Sequence, residues 1–210
     1  MSDGPKRIPR LGWAIAFVAA VTMIGVTFVS FKTTKPNADP MPAIAEVPAF
    51  SFTSQSGETM TREDLAGDVW IANFIFTRCP GPCPVMSSRM QELQAAIEGK
   101  GGGVRLVSVT VDPEHDTPEV LREYSERYGA DPEVWKFLTG DPEEVTDFVQ
   151  KGMLQPLAKG DDDLPVHSQR FLVVDAEGQI RAFHDLNDPA LIPELLMDIG
   201  GLMRERGQRK

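Results

Sequence analysis

Cysteine and histidine are scarce in this sequence, and their scarcity limits the chemistry that a metal or redox site can use. The chain of 210 residues has only two cysteines, Cys79 and Cys83, and only three histidines, His115, His167 and His184. Two thiols exclude a structural zinc site or an iron–sulfur cluster held by four thiolates. A metal ion bound by both cysteines would therefore take its third ligand from a histidine or a methionine.

Basic residues are also scarce relative to acidic ones. The chain has 21 lysines and arginines against 31 aspartates and glutamates, which gives a formal charge of −10. Residues 1–12 carry one acid and three bases, a charge of +2, so taking them away from −10 leaves −12 for the remainder. A domain this acidic is repelled by phosphate backbones, and we expect no nucleic-acid partner.

Charged residues are absent from one long stretch near the N-terminus, residues 11–31. About twenty consecutive apolar residues cross the hydrocarbon core of a bilayer, so this stretch predicts a transmembrane helix. A cleaved signal peptide is the alternative, but its apolar region would be shorter and a small-residue cleavage site would follow closely. Basic residues flank the stretch on both sides, with a slight excess before it: Lys6, Arg7 and Arg10 against Lys32 and Lys35.

The sequence therefore predicts a chain in four parts. They are a short cytoplasmic head (1–10), a transmembrane helix (11–31), a proline-rich spacer (32–45) and a folded domain (46–206). The slight positive excess and the small size of the head favour a cytoplasmic N-terminus. The folded domain then faces the periplasm from the cell inner membrane, or the intermembrane space from the mitochondrial inner membrane.

The two cysteines follow an apolar run, Val69–Phe76, whose length and β-branched residues predict a buried strand. Pro84 and the apolar spacing after it predict a helix that extends to about Glu98, with Pro84 at the first helical position. Cys83 then lies at or next to the N-cap, at the positive end of the helix dipole. We expect this location to lower the pKa of the thiols and to favour the thiolate, which is the form that binds metals.

Strands and helices alternate along the rest of the domain. The pattern predicts a parallel βαβ core, a closing antiparallel hairpin and flanking helices. With a cysteine pair after the first core strand, this is an α/β, thioredoxin-like arrangement with a central mixed sheet; a generic α/β domain is the alternative. The later elements are strands at 104–111 and 135–139, a helix from Pro118, a helix from Pro142 to near Gly152, a hairpin at 171–183 and a last helix capped by Asp188.

The spacing of the two cysteines suits a soft metal ion. Three intervening residues let the sulfurs spread around an ion while they can still close on each other, and thiolates select Cu(I) or zinc. His167 lies on the loop that enters the hairpin, and we expect this loop to approach the cysteine turn. Other residues have ordinary interpretations. Core packing is favoured over extra metal ligation for Met86 and Met90, and loop capping is favoured over a direct role near the metal for Asp112 and Asp116. We expect His115 and His184 to be solvated side chains.

Three stretches of the sequence form motifs: Phe76–Pro84 around the cysteines, Val109–Pro118, and Val166–Ser168 ahead of Phe171–Asp175. In order and spacing these motifs resemble those of the Sco/SenC copper chaperones, and the resemblance covers about residues 46–204. It implies that copper, as Cu(I), Cu(II) or both, binds to Cys79, Cys83 and His167. One departure is Gly81, because many relatives have an acidic residue at this position.

The resemblance also implies a function, that of a membrane-anchored, non-enzymatic copper chaperone. Such a protein delivers copper to, or reduces the cysteines of, the binuclear copper centre of cytochrome c oxidase subunit II, or serves another copper-receiving protein. We expect a reversible disulfide between Cys79 and Cys83 in the copper-free form. A thiol–disulfide oxidoreductase acting on extracytoplasmic proteins is the alternative, but it would not require His167. A peroxidase is less favoured, because Thr77 precedes Cys79 by two residues rather than three.

Overall fold

The computed structural model describes residues 40–99, 102–160 and 164–208. The cytoplasmic head and the transmembrane helix expected at residues 1–31 lie outside these ranges, as does most of the expected spacer. None of the helices within the described ranges combines the length and the apolar character that a membrane span requires.

The described ranges contain ten strands and four α-helices. The strands are β1 (Ala45–Glu46), β2 (Ser51–Ser54), β3 (Thr59–Thr61), β4 (Val69–Ile75), β5 (Val104–Thr110), β6 (Trp135–Thr139), β7 (Leu157–Lys159), β8 (Pro165–His167), β9 (Arg170–Val174) and β10 (Gln179–Asp185). The helices are α1 (Pro82–Ile97), α2 (Pro118–Arg127), α3 (Pro142–Asp147) and α4 (Leu191–Gln208), with a 3₁₀ turn at Glu63–Leu65 and a π-helix at Phe148–Gly152.

Eight strands form one mixed sheet in the order β1-β10-β9-β4-β5-β6-β2-β3, and β7 and β8 form a separate pair. Strands β4, β5 and β6 are parallel, whereas β9 pairs antiparallel with β4. Both crossovers run in the same direction along the sheet, so the right-handed rule places α1 and α2 on one face. The side-chain hydroxyls of Ser87 and Tyr124, 2.9 Å apart, connect these two helices.

Strand β4 is the centre of the fold. All seven of its residues are buried, which explains the nearly continuous apolar run in its sequence. It pairs with β5 on one side and with β9 on the other, and α1 and α4 pack against it. The loop that carries the cysteines therefore starts from the most constrained strand of the domain.

The structure contains the predicted parallel core, the closing hairpin and the flanking helices, so the thioredoxin-like α/β arrangement is confirmed. Helix α1 starts at Pro82 rather than Pro84, with Gly81 as its N-cap. Proline is tolerated throughout the first turn because the N–H groups there have no partner within the helix, so both prolines are compatible with a helix start. The helix expected from Pro142 to Gly152 changes to a π-helix at Phe148.

Candidate metal centre

The structure brings the three expected ligands together from three different elements. Cys79 lies in the loop after β4, Cys83 is the second residue of α1, and His167 is the last residue of β8. The Cys83 Sγ atom lies 3.3 Å from Nε2 of His167, and the Cys79 side chain is within hydrogen-bonding reach of Cys83. Both thiols are free in this structure. His167 lies on a short strand rather than on the expected loop.

Cys83 does not have the low pKa that its position at the helix start predicted. The side chain is fully buried, and this burial is the main reason that the pKa of Cys83 is raised well above its ordinary value. The neighbouring Cys79 and the charge of Asp116 raise it further, whereas a backbone hydrogen bond at Phe76 opposes the shift. Desolvation outweighs the helix dipole, because a dipole effect is typically worth less than about 2 kcal/mol and full burial shifts a pKa by up to about 5 units.

His167 presents Nε2, rather than Nδ1, to the Cys83 thiol. Its Nδ1 lies 2.8 Å from the backbone oxygen of Ser168, and a carbonyl can only accept a hydrogen bond, so Nδ1 carries the proton. The lone pair of Nε2 therefore faces the Cys83 thiol, which can donate its proton to it. Burial lowers the pKa of His167, and this keeps the imidazole in the neutral form that metals bind. The ring meets Phe76 edge-on at a centroid distance of 5.9 Å.

The arrangement of donor atoms fits one soft metal ion. Sulfur and imidazole nitrogen bind first-row metals at distances of about 2.3 and about 2.0 Å, which is compatible with a separation of 3.3 Å between Cys83 Sγ and His167 Nε2. Two thiols and a neutral imidazole are soft or borderline ligands, so the set favours Cu(I) or zinc over magnesium or calcium. The buried Cys83 proton must leave when a metal binds.

Two aspartates that were expected to cap the loop before α2 hold the cysteine loop instead. Asp116 is fully buried, and its carboxylate accepts hydrogen bonds from the backbone N–H of Thr77 at 3.0 Å, from the Thr77 hydroxyl at 2.5 Å and from the Thr110 hydroxyl. Asp112 pairs with Arg78 through two hydrogen bonds. The N-cap of α2 is Thr117, whose hydroxyl accepts from the third helical residue. The capping interpretation of the two aspartates is therefore wrong.

The side chains of Asp112, His115 and Asp116 also lie close enough to share an ion, with ligand atoms within 4.8 Å of one another. Both carboxylates, however, already accept hydrogen bonds from Thr77 and Arg78 of the cysteine loop. We therefore assign these aspartates to holding that loop. The sequence offered a signal for this role, since both lie in the second of the three motifs.

The other interpretations from the sequence have mixed outcomes. Met86 and Met90 are fully buried, which confirms that they belong to the core. His115 is exposed, as expected. His184 is not a solvated side chain, because it lies half-buried between Glu194 at 3.2 Å and Asp198 at 2.7 Å. These two carboxylates raise the pKa of His184, with the hydrogen bond to Asp198 as the largest cause.

One side of the centre is open. A cavity of about 580 Å³ borders His167 and Ser168 and is otherwise lined by residues 150 and 154–158. A partner molecule can therefore approach the histidine side of the centre.

The cysteine loop also has free space around Gly81. An added Cβ at this position would meet no atom within 4 Å, so the surroundings leave room for the acidic side chain that this position lacks.

Comparison with known proteins places these features in a family. The family model described as SCO1/SenC matches residues 38–202. A SCO1 protein homolog of Bacillus subtilis is 35% identical over 137 residues, which cover 64% of this chain and 71% of that protein. The structure of Arabidopsis thaliana ScoI with copper bound has a TM-score of 0.65 and 28% identity, covering 77% of this chain and 99% of that one.

A third similar protein is BsSco, whose structure is described as identifying a disulfide switch in a member of the Sco family of cytochrome c oxidase assembly proteins. It has a TM-score of 0.69 and 31% identity, and the match covers 78% of this chain and 95% of that chain. The residues that the family model matches include both cysteines and the histidine strand of the present chain.

Proposed function

The chain belongs to the SCO1/SenC family, and from this premise we propose that it is a copper-binding protein of cytochrome c oxidase assembly. Copper binds to Cys79, Cys83 and His167 and is delivered to the binuclear copper centre of subunit II, or the dithiol reduces the cysteines of that centre. The observation that carries the proposal is the 3.3 Å approach of His167 Nε2 to Cys83 Sγ, with the Nε2 lone pair facing the thiols.

Copper is the cargo of this site, and the residues suit both its capture and its release. On binding, Cys83 loses the proton that burial otherwise retains, and His167 offers Nε2 without losing a proton. Two thiolates and one imidazole satisfy Cu(I) without a strong fourth ligand, whereas Cu(II) would add an oxygen ligand such as water. The open cavity beside His167 leaves space for a receiving protein to approach this ligand and replace it first.

The copper site is tested by competition of the reduced, full-length chain with a Cu(I) chelator. We expect His167→Ala to lower the affinity by more than about a hundredfold, since even residues that only support a metal ligand are worth about 10- to 100-fold. The matched control is His184→Gln, which removes a histidine that pairs with Glu194 and Asp198 rather than with a thiol, and it should bind copper like the wild type. Equal affinity in His167→Ala and the wild type would refute the three-ligand site.

The second candidate function is thiol–disulfide exchange, favoured by the two adjacent free thiols of unequal exposure. The Cys79 thiolate would attack a disulfide of the partner and form a mixed disulfide. Cys83 would then lose its proton, attack the Cys79 sulfur and release the partner with two thiols, so two electrons pass from this dithiol to the partner. An unchanged copper affinity in His167→Ala, with intact exchange, would make this the primary function.

We also propose that residues 11–31 anchor the chain in the cell inner membrane with the domain in the periplasm, or in the mitochondrial inner membrane with the domain in the intermembrane space. The support is the uncharged sequence of this stretch. Alkaline phosphatase fused after Pro48 should be active in a bacterial host, because the enzyme needs an oxidising compartment for its disulfides. An inactive fusion, together with an active cytoplasmic reporter at the same point, would overturn this topology.

A further inference from the structure

We propose that Gln155 and Ser168 are positioning residues that hold the His167 imidazole toward the thiols. The inference rests on the proposed copper function, because it assigns a role within the same site. Neither residue contacts Cys79 or Cys83 in the described hydrogen bonds, and neither belongs to the ligand set. Their role is to fix the orientation of the ring through a short chain of hydrogen bonds.

The chain of hydrogen bonds starts at the imidazole. His167 Nδ1 donates to the backbone oxygen of Ser168 at 2.8 Å, and the Ser168 hydroxyl donates to Oε1 of Gln155 at 2.5 Å. Gln155 is a polar side chain with only 1% of its surface exposed, so its amide has little access to water. A buried amide with satisfied hydrogen bonds has a well-defined orientation, and it passes that orientation to the groups bound to it.

The other end of the Gln155 amide is fixed to the backbone. Its Nε2 donates to the carbonyl oxygens of Met153 at 2.9 Å and Leu154 at 3.1 Å, so this end is the donor and Oε1 is the acceptor. The backbone N–H of Gln155 donates to Val149 within the π-helix at 3.0 Å. The side chain thus connects the histidine strand to the end of the π-helix.

The backbone at this connection has an unusual shape. Leu154 has a φ of +56°, a left-handed conformation that a leucine rarely adopts, and its side chain is 46% exposed. The two carbonyls that Gln155 binds are the one before Leu154 and that of Leu154 itself. π-Helical turns and left-handed residues other than glycine occur preferentially at functional sites. Here both serve to bring the Gln155 amide to Ser168.

His167 needs such a support because its strand is weakly held. Strand β8 pairs with β7 in a two-stranded sheet of three residues each, apart from the main sheet, and a pair of this size is marginally stable by itself. A second tether, from Gln150 Nε2 to the Leu157 oxygen at 2.7 Å, holds β7 rather than the imidazole. Gln155 is therefore the described side chain that joins the hydrogen bonds of the ring to the π-helix.

The test uses full-length variants that remove the hydrogen bonds at either end. Gln155→Leu keeps a similar side-chain size without the amide, Ser168→Ala removes the hydroxyl, and Ser168→Thr restores it. We expect the first two to lower Cu(I) affinity about tenfold in chelator competition, the lower end of the range for residues that support a ligand. The double variant should lose no more than either single variant, because both act through one chain of hydrogen bonds.

A second readout does not involve copper. In the reduced, metal-free protein, nitrogen NMR of His167 should show one tautomer, with the proton on Nδ1, and the Gln155→Leu and Ser168→Ala variants should add the other tautomer. Ser168→Thr should restore a single tautomer. The matched control is Gln150→Leu, which removes an amide of the neighbouring π-helix that donates to Leu157 rather than to Ser168, and should leave both the affinity and the tautomer unchanged.

Several results would overturn the proposal. A single Nδ1–H tautomer together with wild-type affinity in Gln155→Leu would do so, as would equal losses in the Gln150→Leu control. If Gln155→Leu fails to fold, the Ser168→Ala and Ser168→Thr pair decides the outcome in the same way. If instead His167→Ala binds copper like the wild type, the proposed function fails, and the tautomer readout still decides whether Gln155 orients the ring.

Discussion

The cysteine side and the histidine side of the centre are built very differently. Cys83 lies on α1, directly after the buried central strand β4, and Asp116 and Asp112 hold the intervening loop through charged hydrogen bonds. His167 lies on a three-residue strand outside the main sheet, held by the Gln155 amide. The two thiols thus lie next to the central strand of the main sheet, whereas His167 lies on the separate two-stranded sheet of β7 and β8. We expect a metal to leave by losing the histidine first.

The largest expected effect comes from removing ligands on the two sides. Cys79→Ser or Cys83→Ser should abolish both copper binding and the disulfide, whereas His167→Ala should lose copper affinity and still form the Cys79–Cys83 disulfide. The reason is that closure needs only the two sulfurs, in a short loop that the fold holds in place. Thiol trapping after mild oxidation measures this directly. Two free thiols in His167→Ala under every oxidising condition would contradict the division between the two sides.

A second expected effect concerns the support of the cysteine loop. Asp116→Ala leaves the buried Thr110 hydroxyl and the half-buried N–H of Thr77 without their acceptor, so we expect a loss of about 3 kcal/mol in the free energy of unfolding. The matched control is Asp64, which accepts from the backbone N–H and hydroxyl of Thr61 in the same way but at the exposed surface. Asp64→Ala should cost about 1 kcal/mol or less.

Urea unfolding of the two variants measures this difference. Equal losses in Asp116→Ala and Asp64→Ala would mean that the burial of Asp116 adds nothing, and the cysteine side would then be no more strongly supported than an ordinary surface turn. A larger loss in Asp116→Ala supports the contrast between the two sides.

The smallest expected effect comes from a histidine that lies outside the centre. His184 has a raised pKa because Asp198 and Glu194 accept from its ring, so the folded state favours the charged form. Its contribution is fully present below the unfolded pKa of about 6.5 and is lost as pH rises through the raised folded value. We expect His184→Gln to lower the free energy of unfolding by about 1 kcal/mol at pH 6, and by less at pH 9.

Unfolding by urea between pH 5 and pH 9 measures this pH dependence. In an Asp198→Asn background, the loss caused by His184→Gln should shrink at every pH. A loss that is equal at pH 6 and pH 9 would show that packing, rather than charge, accounts for the effect of His184→Gln.

The sequence predicted the elements on the cysteine side of the centre better than those on the histidine side. The run Val69–Phe76 could be recognised as a strand because both of its faces are buried, and prolines after Thr117 and Asp141 marked the starts of two helices. Strands β7 and β8 have three residues each, too few to show a periodic pattern. The expected location of His167 was therefore a loop.

The approach of His167 to the cysteines was predicted, but other properties that depend on contacts distant in sequence were not. The pKa of Cys83 is raised mainly by its burial in the folded domain, whereas the local sequence indicated only the helix dipole. Gln155 gave no signal, because nothing in the sequence relates this amide to a histidine on a later strand. The pair β1–β10 was also missed, since a strand of two residues has no recognisable pattern.

The pairing of β4 has a consequence for how the chain folds. One neighbour of this strand, β5, follows after a single helix, but the other is β9, and Trp70 pairs with Val174 about a hundred residues later. Contacts between such distant residues form slowly, because a long loop must close first. During synthesis the cysteine loop is therefore complete long before β9 and α4 can cover the strand beneath it. Until then both thiols are open to oxidants and to stray metal ions, so the newly made chain is in greatest need of a reducing partner before β9 and α4 have emerged.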